Sequence, residues 1–591
     1  MANSPSNYKD RVLAWNIFCD GTKLDSSFSL VSATVRLELN HIGKATLKFS
    51  AGNMDKQKFD ETDSDLFKPG NTIRLDAGTM SSQDTLFEGT IVEVGIHATR
   101  GTRSQMVVEC RDHAFPATQG RKNRIFEKKK DDEIIKEVLA DYGTVKVDAT
   151  SYQHPEMVQY YASDWDFALS RADACGLLVF TKGKEISFFK PKVDASPVLT
   201  VAYGTDMNSF TGGLSGTEQF TTYEGVAWNP TQQKSVKVSA SVPTLNEQGD
   251  LQPDVLAGGG GMLLQTDAPM DDAALQEWVD SVALKAGLAR YQGKFSFCGA
   301  PEAVPGSLIE LKGLGKRFNG NVFVGSVTHT IAKNVWTTEV GIGIRAAAIT
   351  DEPDVVSPPA SGFLPGLEGI HTAIVKQLEE DPLKEFRIQI ELPWMDGKKK
   401  ELWARLSTQY ASAAAGSFFL PEKGDEVLVG FINHHPACPV ILGSVYGSKH
   451  KPPFDYEAEN TKKAIVTRSG LTVEFDDEKK IITLHTPGEN RIEMSDDEKS
   501  IKLSDPNKNE IVMDKNGITL TSGKDIKMAA KANISLEATA NAEVKAKSDV
   551  AIEGTNVKAT AKIGLTAKGN ATAELSASGQ TTVKGAMVMI N

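Results

Sequence analysis

The run Gly517-Ile-Thr-Leu520-Thr-Ser-Gly-Lys-Asp525-Ile-Lys-Met528-Ala-Ala-Lys-Ala-Asn533-Ile-Ser-Leu536 sets two apolar side chains two positions apart and repeats the pair every eight residues. Ile518 and Leu520, Ile526 and Met528, Ile534 and Leu536, then Val550 and Ile552 keep the register, with Ala542 and Val544 filling the step between. A Gly, Asp or Asn precedes each pair: Gly517, Asp525, Asn533, Asn541 and Asp549. One step shortens at Asn556-Val557, and the octad resumes at Gly564-Leu565.

A separation of two places both apolar side chains on one face of a strand, and Asn, Asp or Gly at a fixed offset supplies the turn. The pattern therefore predicts one short strand per octad from roughly Ile481 to Asn591. Such a unit cannot bury a core alone and must stack on neighbours. A strand this short also leaves backbone groups bare on both sides within one chain. Three chains wound together close the repeat: each strand pairs with another chain. Ile518, Leu520, Ile526, Met528, Ile534, Leu536, Val544, Val550, Ile552, Val557 and Leu565 then point to a shared axis.

The Ala, Lys and Glu content of residues 524–584 invites a helical reading, but a step of seven from Ile518 meets Asp525, Ala532 and Thr539, which is no coiled-coil seam. A disordered low-complexity tail would not keep a register over so many units.

A chain of 591 residues is expected to form several domains. Its net charge of -12 argues against nucleic acid and anionic lipid as partners. Cys19, Cys110, Cys175, Cys298 and Cys438 are dispersed and lack a C-x-x-C spacing, so they read as free thiols of a reducing compartment. Met1 to Asp10 is polar and has no signal-peptide core, and no apolar run approaches the ~20 residues that span a bilayer. The expectation is synthesis in the cytoplasm and export by a route that ignores signal peptides.

Residues 11–115 alternate in a β manner, with turn signals at Asp20-Gly21, Pro69-Gly70 and Glu88-Gly89. The basic run Arg121 to Lys130, followed by Asp131, Asp132 and Glu133, reads as a solvated, self-neutralising loop. Helices are expected from an Asp131 cap to Tyr142, from Asp164 to Cys175, and from Asp271 to Leu288. Pro353 to Pro365 is the clearest linker. Beyond it, strands at 370–376, 386–392, 402–406, 426–432 and 440–445 fit a five-stranded OB barrel.

Arg387-Ile-Gln-Ile-Glu-Leu-Pro-Trp394, Trp403-Ala-Arg405, Phe418-Phe-Leu-Pro-Glu422, Gly424-Asp-Glu-Val-Leu-Val429 and Pro439-Val-Ile-Leu-Gly-Ser-Val-Tyr446 give this region its wording. With Leu86-Phe-Glu-Gly-Thr-Ile91, Ser163-Asp-Trp-Asp-Phe167 and Trp336-Thr-Thr-Glu339 upstream, the chain resembles the VgrG spike proteins of type VI secretion and their homologues in phage tails and extracellular contractile particles. The resemblance implies a mainly β chain with minor α. Its parts are phage-hub-like β-barrel regions over 1–115, 116–245 and 246–352, a linker over 353–367, an OB domain over 368–446, a neck over 447–463 and an intertwined triple-stranded β-helix over 464–591. It also implies a homotrimer that caps an inner tube protein, meets baseplate proteins, carries effectors and a PAAR-type tip, and crosses a target membrane transiently.

Departures bear on function. The phage T4 spike inserts a lysozyme domain where this chain has only the neck, about fifteen residues long. Some phage spikes bind iron at the tip through H-x-H, whereas His485 is the only histidine after the neck. The tip is therefore expected to be metal-free, with Met587, Val588, Met589 and Ile590 placed at the contact with a separate cone.

No cofactor or catalytic residue is expected: no G-x-S-x-G, H-E-x-x-H or Walker loop occurs, and His434-His435 with Cys438 reads as a polar turn. Trp394 and Trp403 are assigned to the barrel core rather than to base stacking. The alternative is a trimeric tailspike enzyme that cleaves surface polysaccharide. It would need paired carboxylates in an aromatic-lined groove, while Phe475 is the only aromatic residue after Ile465.

Overall fold

The computed structural model describes residues 3–5, 13–99, 104–230, 232–240 and 243–590; most of the polar N-terminus, Val12 and Asn591 lie outside them. Two compact units form, Met1–Val445 and Tyr446–Asn591.

The first unit is built on a thirteen-stranded sheet. Leu30–Glu38, Lys44–Ser50, Gln105–Asp112, Ser82–His97, Thr72–Thr79 and Leu13–Cys19 follow one another antiparallel, as their alternating burial requires. The late strand Gly320–Ala332 returns to pair with Leu30–Glu38, from Ser326 opposite Glu38 to Ala332 opposite Ser32. Residues far apart in sequence thus share one sheet over two cores. One gathers Phe49, Phe67, Ile73 and Met106, the other Phe295, Phe297, Val322 and Val340.

Between these halves lie helix α1 (Asp131–Leu139), helix α2 (Asp164–Ala174) and helix α3 (Asp272–Leu288). Ser163 and Asp271 cap the last two by accepting from the backbone N–H of Asp166 and Ala273. Asp131 does not cap α1 as expected; Lys130 holds that position, and the Asp131 carboxylate is buried.

The basic run is likewise no loop. Lys122–Lys130 is a strand antiparallel to Gln153–Ala162. Alternation turns Phe126 inward, and two of the cations meet one carboxylate: Lys122 and Arg124 reach the buried Asp164 at 2.7 and 2.8 Å. Tyr142 and Gln159 complete that carboxylate's hydrogen bonds at 2.7 and 2.9 Å. Burial alone would raise the Asp164 pKa, and these donors turn it downward instead.

The proline-rich stretch after residue 352 is held in place. Arg121 donates to the carbonyls of Asp354 at 2.7 Å and Val356 at 3.1 Å, and Leu367 N–H donates to the His434 carbonyl at 2.7 Å.

His371–Gln377, Ile388–Glu391, Glu401–Leu406, Pro439–Ser444 and Glu426–Phe431 close into a five-stranded barrel around Val375, Ile390, Ala404, Val429 and Ile441. The two tryptophans are not in that core. Leu402 and Ala404 take the inward positions, which turns Trp403 outward, and Trp394 follows the strand end, half-exposed and 5.2 Å from the His371 ring.

In the second unit seven strands form an antiparallel meander: Lys462–Val466, Thr472–Asp476, Ile481–His485, Arg491–Ser495, Ser500–Ser504, Glu510–Asp514 and Gly517–Thr521. This corrects the expectation that every strand pairs with another chain, because through Thr521 each pairs with its sequence neighbour. The reason is turn chemistry. In Asp505-Pro-Asn-Lys-Asn509 the Asp505 carboxylate accepts from the N–H groups of Asn507 and Asn509, and in the last hairpin Asp514 accepts from Asn516 before Gly517 at φ +125°.

Beyond Thr521 no strand pairs within the chain among the described residues. The backbone instead bends at 523–524, 531–532, 539–540 and 547–548, then at 555, then at 562–563, 570–571, 578–579 and 586–587. The eight-residue step and its single shortening are thus written into the main chain.

Candidate assembly interface

The register of the meander brings its apolar residues together. Val473 lies opposite Leu484, Leu484 opposite Ile492, Ile492 opposite Leu503, Leu503 opposite Ile511, and Ile511 opposite Leu520. A second row runs Phe475, Ile482, Met494, Ile501, Met513 and Ile518. Both rows fall on the same face, since their members alternate by two along each strand. Cross-strand apolar neighbours of this kind stabilise a sheet by roughly 0.2–1 kcal/mol each.

The opposite face is polar. It carries Lys462 against Glu474 at 3.5 Å, Arg491 against Glu493 and the small Thr483 and Ser495. The apolar face has no cover within the single chain: Leu484, Ile492, Met494, Ile501 and Met513 all stay more than a third exposed. A contiguous exposed apolar surface is a candidate contact site.

Of the axis residues predicted from the octad, Ile518 and Leu520 sit on the last meander strand and continue both rows. Ile526, Met528, Ile534, Leu536, Val544, Val550, Ile552, Val557 and Leu565 lie on the segments between bends, each more than half exposed. Met587 lies in the last bend, Val588, Met589 and Ile590 follow it, and all four are exposed too.

Sequence reasoning missed the earlier pairs Ile482/Leu484, Ile492/Met494, Ile501/Leu503 and Ile511/Met513. Their spacing of two is the same, but they recur at nine or ten residues because each hairpin needs its turn. It also missed Leu575 and Val583, which continue the octad after Leu565.

Among the described residues no three His, Cys, Asp or Glu side chains are grouped to hold a metal ion. His435 stacks on Phe363 at 6.3 Å and its Nδ1 accepts from the Ala437 N–H, so it belongs to a turn. Asp476 ends a strand, and Asp477 and Asp496 begin turns. Burial pushes the Cys19 thiol up to about 11 and raises those of Cys110 and Cys175 further, which makes them poor nucleophiles.

A closed OB-type barrel followed by short strands with one open apolar face defines the class. Residues 371–446 match the type VI secretion system/phage-baseplate injector OB domain, and residues 481–541 match the phage baseplate V C-terminal trimerisation domain. Together they mark a spike of the VgrG type. Residues 9–333, more than half of the sequence, match the Alg8 N-terminal domain, and the chain belongs to that family.

The type VI secretion system spike protein VgrG1b of Pseudomonas aeruginosa is 22% identical over 431 residues, 66% of this chain and 56% of that protein. VgrG3 of Vibrio cholerae is 30% identical over 105 residues, 17% of this chain and 10% of that one. The chain therefore spans about half or less of these relatives. Among solved structures, the prophage MuSo2 43 kDa tail protein of Shewanella oneidensis aligns at TM-score 0.43 and 9% identity, covering 56% of this chain and 98% of that one. The Escherichia coli c3393 protein, a type VI secretion component, aligns at 0.37 and 14%, covering 73% and 99%.

Proposed function

We propose that the chain is the non-enzymatic spike and hub of a contractile injection machine and works as a homotrimer. The observation that carries this is the two-row apolar face of the meander, continued by an octad that forms no strand pairs within the chain among the described residues. Three such faces turned inward bury each other, and three sets of bare extended segments satisfy one another's backbone groups as an intertwined β-helix. The match to a trimerisation domain supports that stoichiometry.

In this reading the first unit serves as the hub that caps the inner tube protein and meets baseplate proteins. The tail is the puncturing rod that enters the target membrane transiently. Residues Met587 to Ile590 seat a PAAR-type cone, and effectors ride on the assembly. The domain limits given above are part of the proposal. The polysaccharide-cleaving alternative is not favoured, since residues 371–446 and 481–541 match injector and baseplate domains and VgrG1b is a spike protein.

The test is solution mass by sedimentation or light scattering. A species near three times the 63.8 kDa chain is expected, persisting in detergent until heated. A folded single chain at micromolar concentration would overturn the trimer.

A further inference from the structure

The first unit holds a cavity of about 780 Å³, walled by α2, α3, the residues after Gln153 and the end of the strand Gly261–Pro269. Its aromatic lining is Trp228, Trp278 and Tyr152. Its charge is one-sided. Arg171 Nε donates to Asp131 Oδ1 at 2.6 Å and His154 Nε2 lies 2.8 Å from Asp131 Oδ2, so the guanidinium and the imidazole are both engaged by one buried carboxylate. Asp173 is answered by Lys285 at 2.6 Å. Glu156, Asp271 and Glu277 remain on the walls with no cationic partner among the described residues.

Of these three, Glu277 is the one positioned by two hydrogen bonds to a single oxygen. The Ser151 N–H donates to its Oε1 at 3.1 Å, the Ser151 hydroxyl donates to the same oxygen, and Oε2 faces Cys175 at 3.9 Å. Trp278 is its chain neighbour on α3. Aromatic faces beside unneutralised carboxylates are the recognition chemistry of an ammonium or guanidinium group, through cation–π attraction and charge-assisted hydrogen bonds. Among the described residues the bordering strand Gly261–Pro269 is an edge strand, paired with Thr222–Asn229, the position at which a sheet accepts an added extended segment.

We propose that this cavity is a docking site for a protein partner, which inserts a lysine or arginine side chain from an extended basic segment. The inference stands on the first unit alone and holds whether or not the tail trimerises.

The experiment titrates full-length protein with a capped trilysine peptide, with spermidine and with a capped triglutamate peptide, and follows binding by calorimetry at low salt. Trilysine binding with one dominant site per chain is expected, weakened roughly tenfold in Glu277→Gln and in Trp278→Phe, with no triglutamate binding. Glu277→Gln keeps shape and Trp278→Phe keeps an aromatic ring of weaker cation–π attraction, and an unchanged melting temperature certifies the fold. Equal trilysine binding by wild type and both variants would reduce the effect to the acidic surface at large and overturn the proposal. Spermidine binding as tightly as the peptide would make this a small-cation site and overturn it as well, as would no trilysine binding.

Discussion

Asp131 shows how one side chain can join two helices and a strand. It opens α1, accepts from Arg171 of α2, and meets His154 of the neighbouring strand. Burial opposes its ionisation, but the hydrogen bond from His154 and the charge and hydrogen bonds of Arg171 outweigh it and bring its pKa down to about 2. A carboxyl whose folded pKa lies below its unfolded value stabilises the fold above the unfolded pKa and ceases to do so as pH falls through the folded one. The contribution, about 2 kcal/mol, is therefore expected to disappear between about pH 4 and pH 2 in acid-unfolding curves. Arg171→Ala leaves the carboxylate buried with one partner fewer, and a loss of about 3 kcal/mol at pH 7 is expected by urea denaturation. A loss below 1 kcal/mol would mean that water reaches Asp131. None of this was legible in the sequence, where Asp131 reads as a cap after a basic run. Its partners stand 23 and 40 residues away, and a local pattern does not report such distances.

At the scale of elements, the meander and the barrel were legible to different depths. The barrel strands follow from alternation, because inward and outward positions differ in polarity at every step. Trp403 was misplaced because size was weighed above parity. The meander strands carry the same alternation, yet their hairpin partners depend on turns such as Asp514-Lys-Asn-Gly517, which a count of apolar spacing ignores. Since one face meets only solvent in the single chain, Ile492→Asp and Leu503→Asp should leave far-ultraviolet dichroism of that chain unchanged while shifting sedimentation to the single-chain mass. Glu493→Ala, on the opposite face, is the control and is expected to leave mass unchanged. A trimer that survives both aspartates would remove this face from the assembly.

At the scale of the whole chain, the two units differ in where their apolar residues go. The first unit closes several cores of its own, so a fragment ending at Val445 should remain folded, with a cooperative melt. If self-association resides in the tail, that fragment sediments as a single chain at micromolar concentration. A trimer of the fragment would place the association in the first unit. The late return of Gly320–Ala332 to Leu30–Glu38 could not be read from sequence, because loop closure over some 290 residues leaves no local mark.

In the proposed trimer the bends after Thr521, eight residues apart but for one shorter step, make the rod a ruler. Each octad adds one equal increment of length, so reach can be set by the number of blocks without altering any block's shape. Excision of Lys531–Ala538 removes one whole graduation and should yield a shorter particle of unchanged stoichiometry, visible by electron microscopy. Excision of Lys531–Glu537, one residue less, inverts the parity of everything downstream, turns Val550 and Ile552 from axis to solvent, and should dissolve the rod beyond that point.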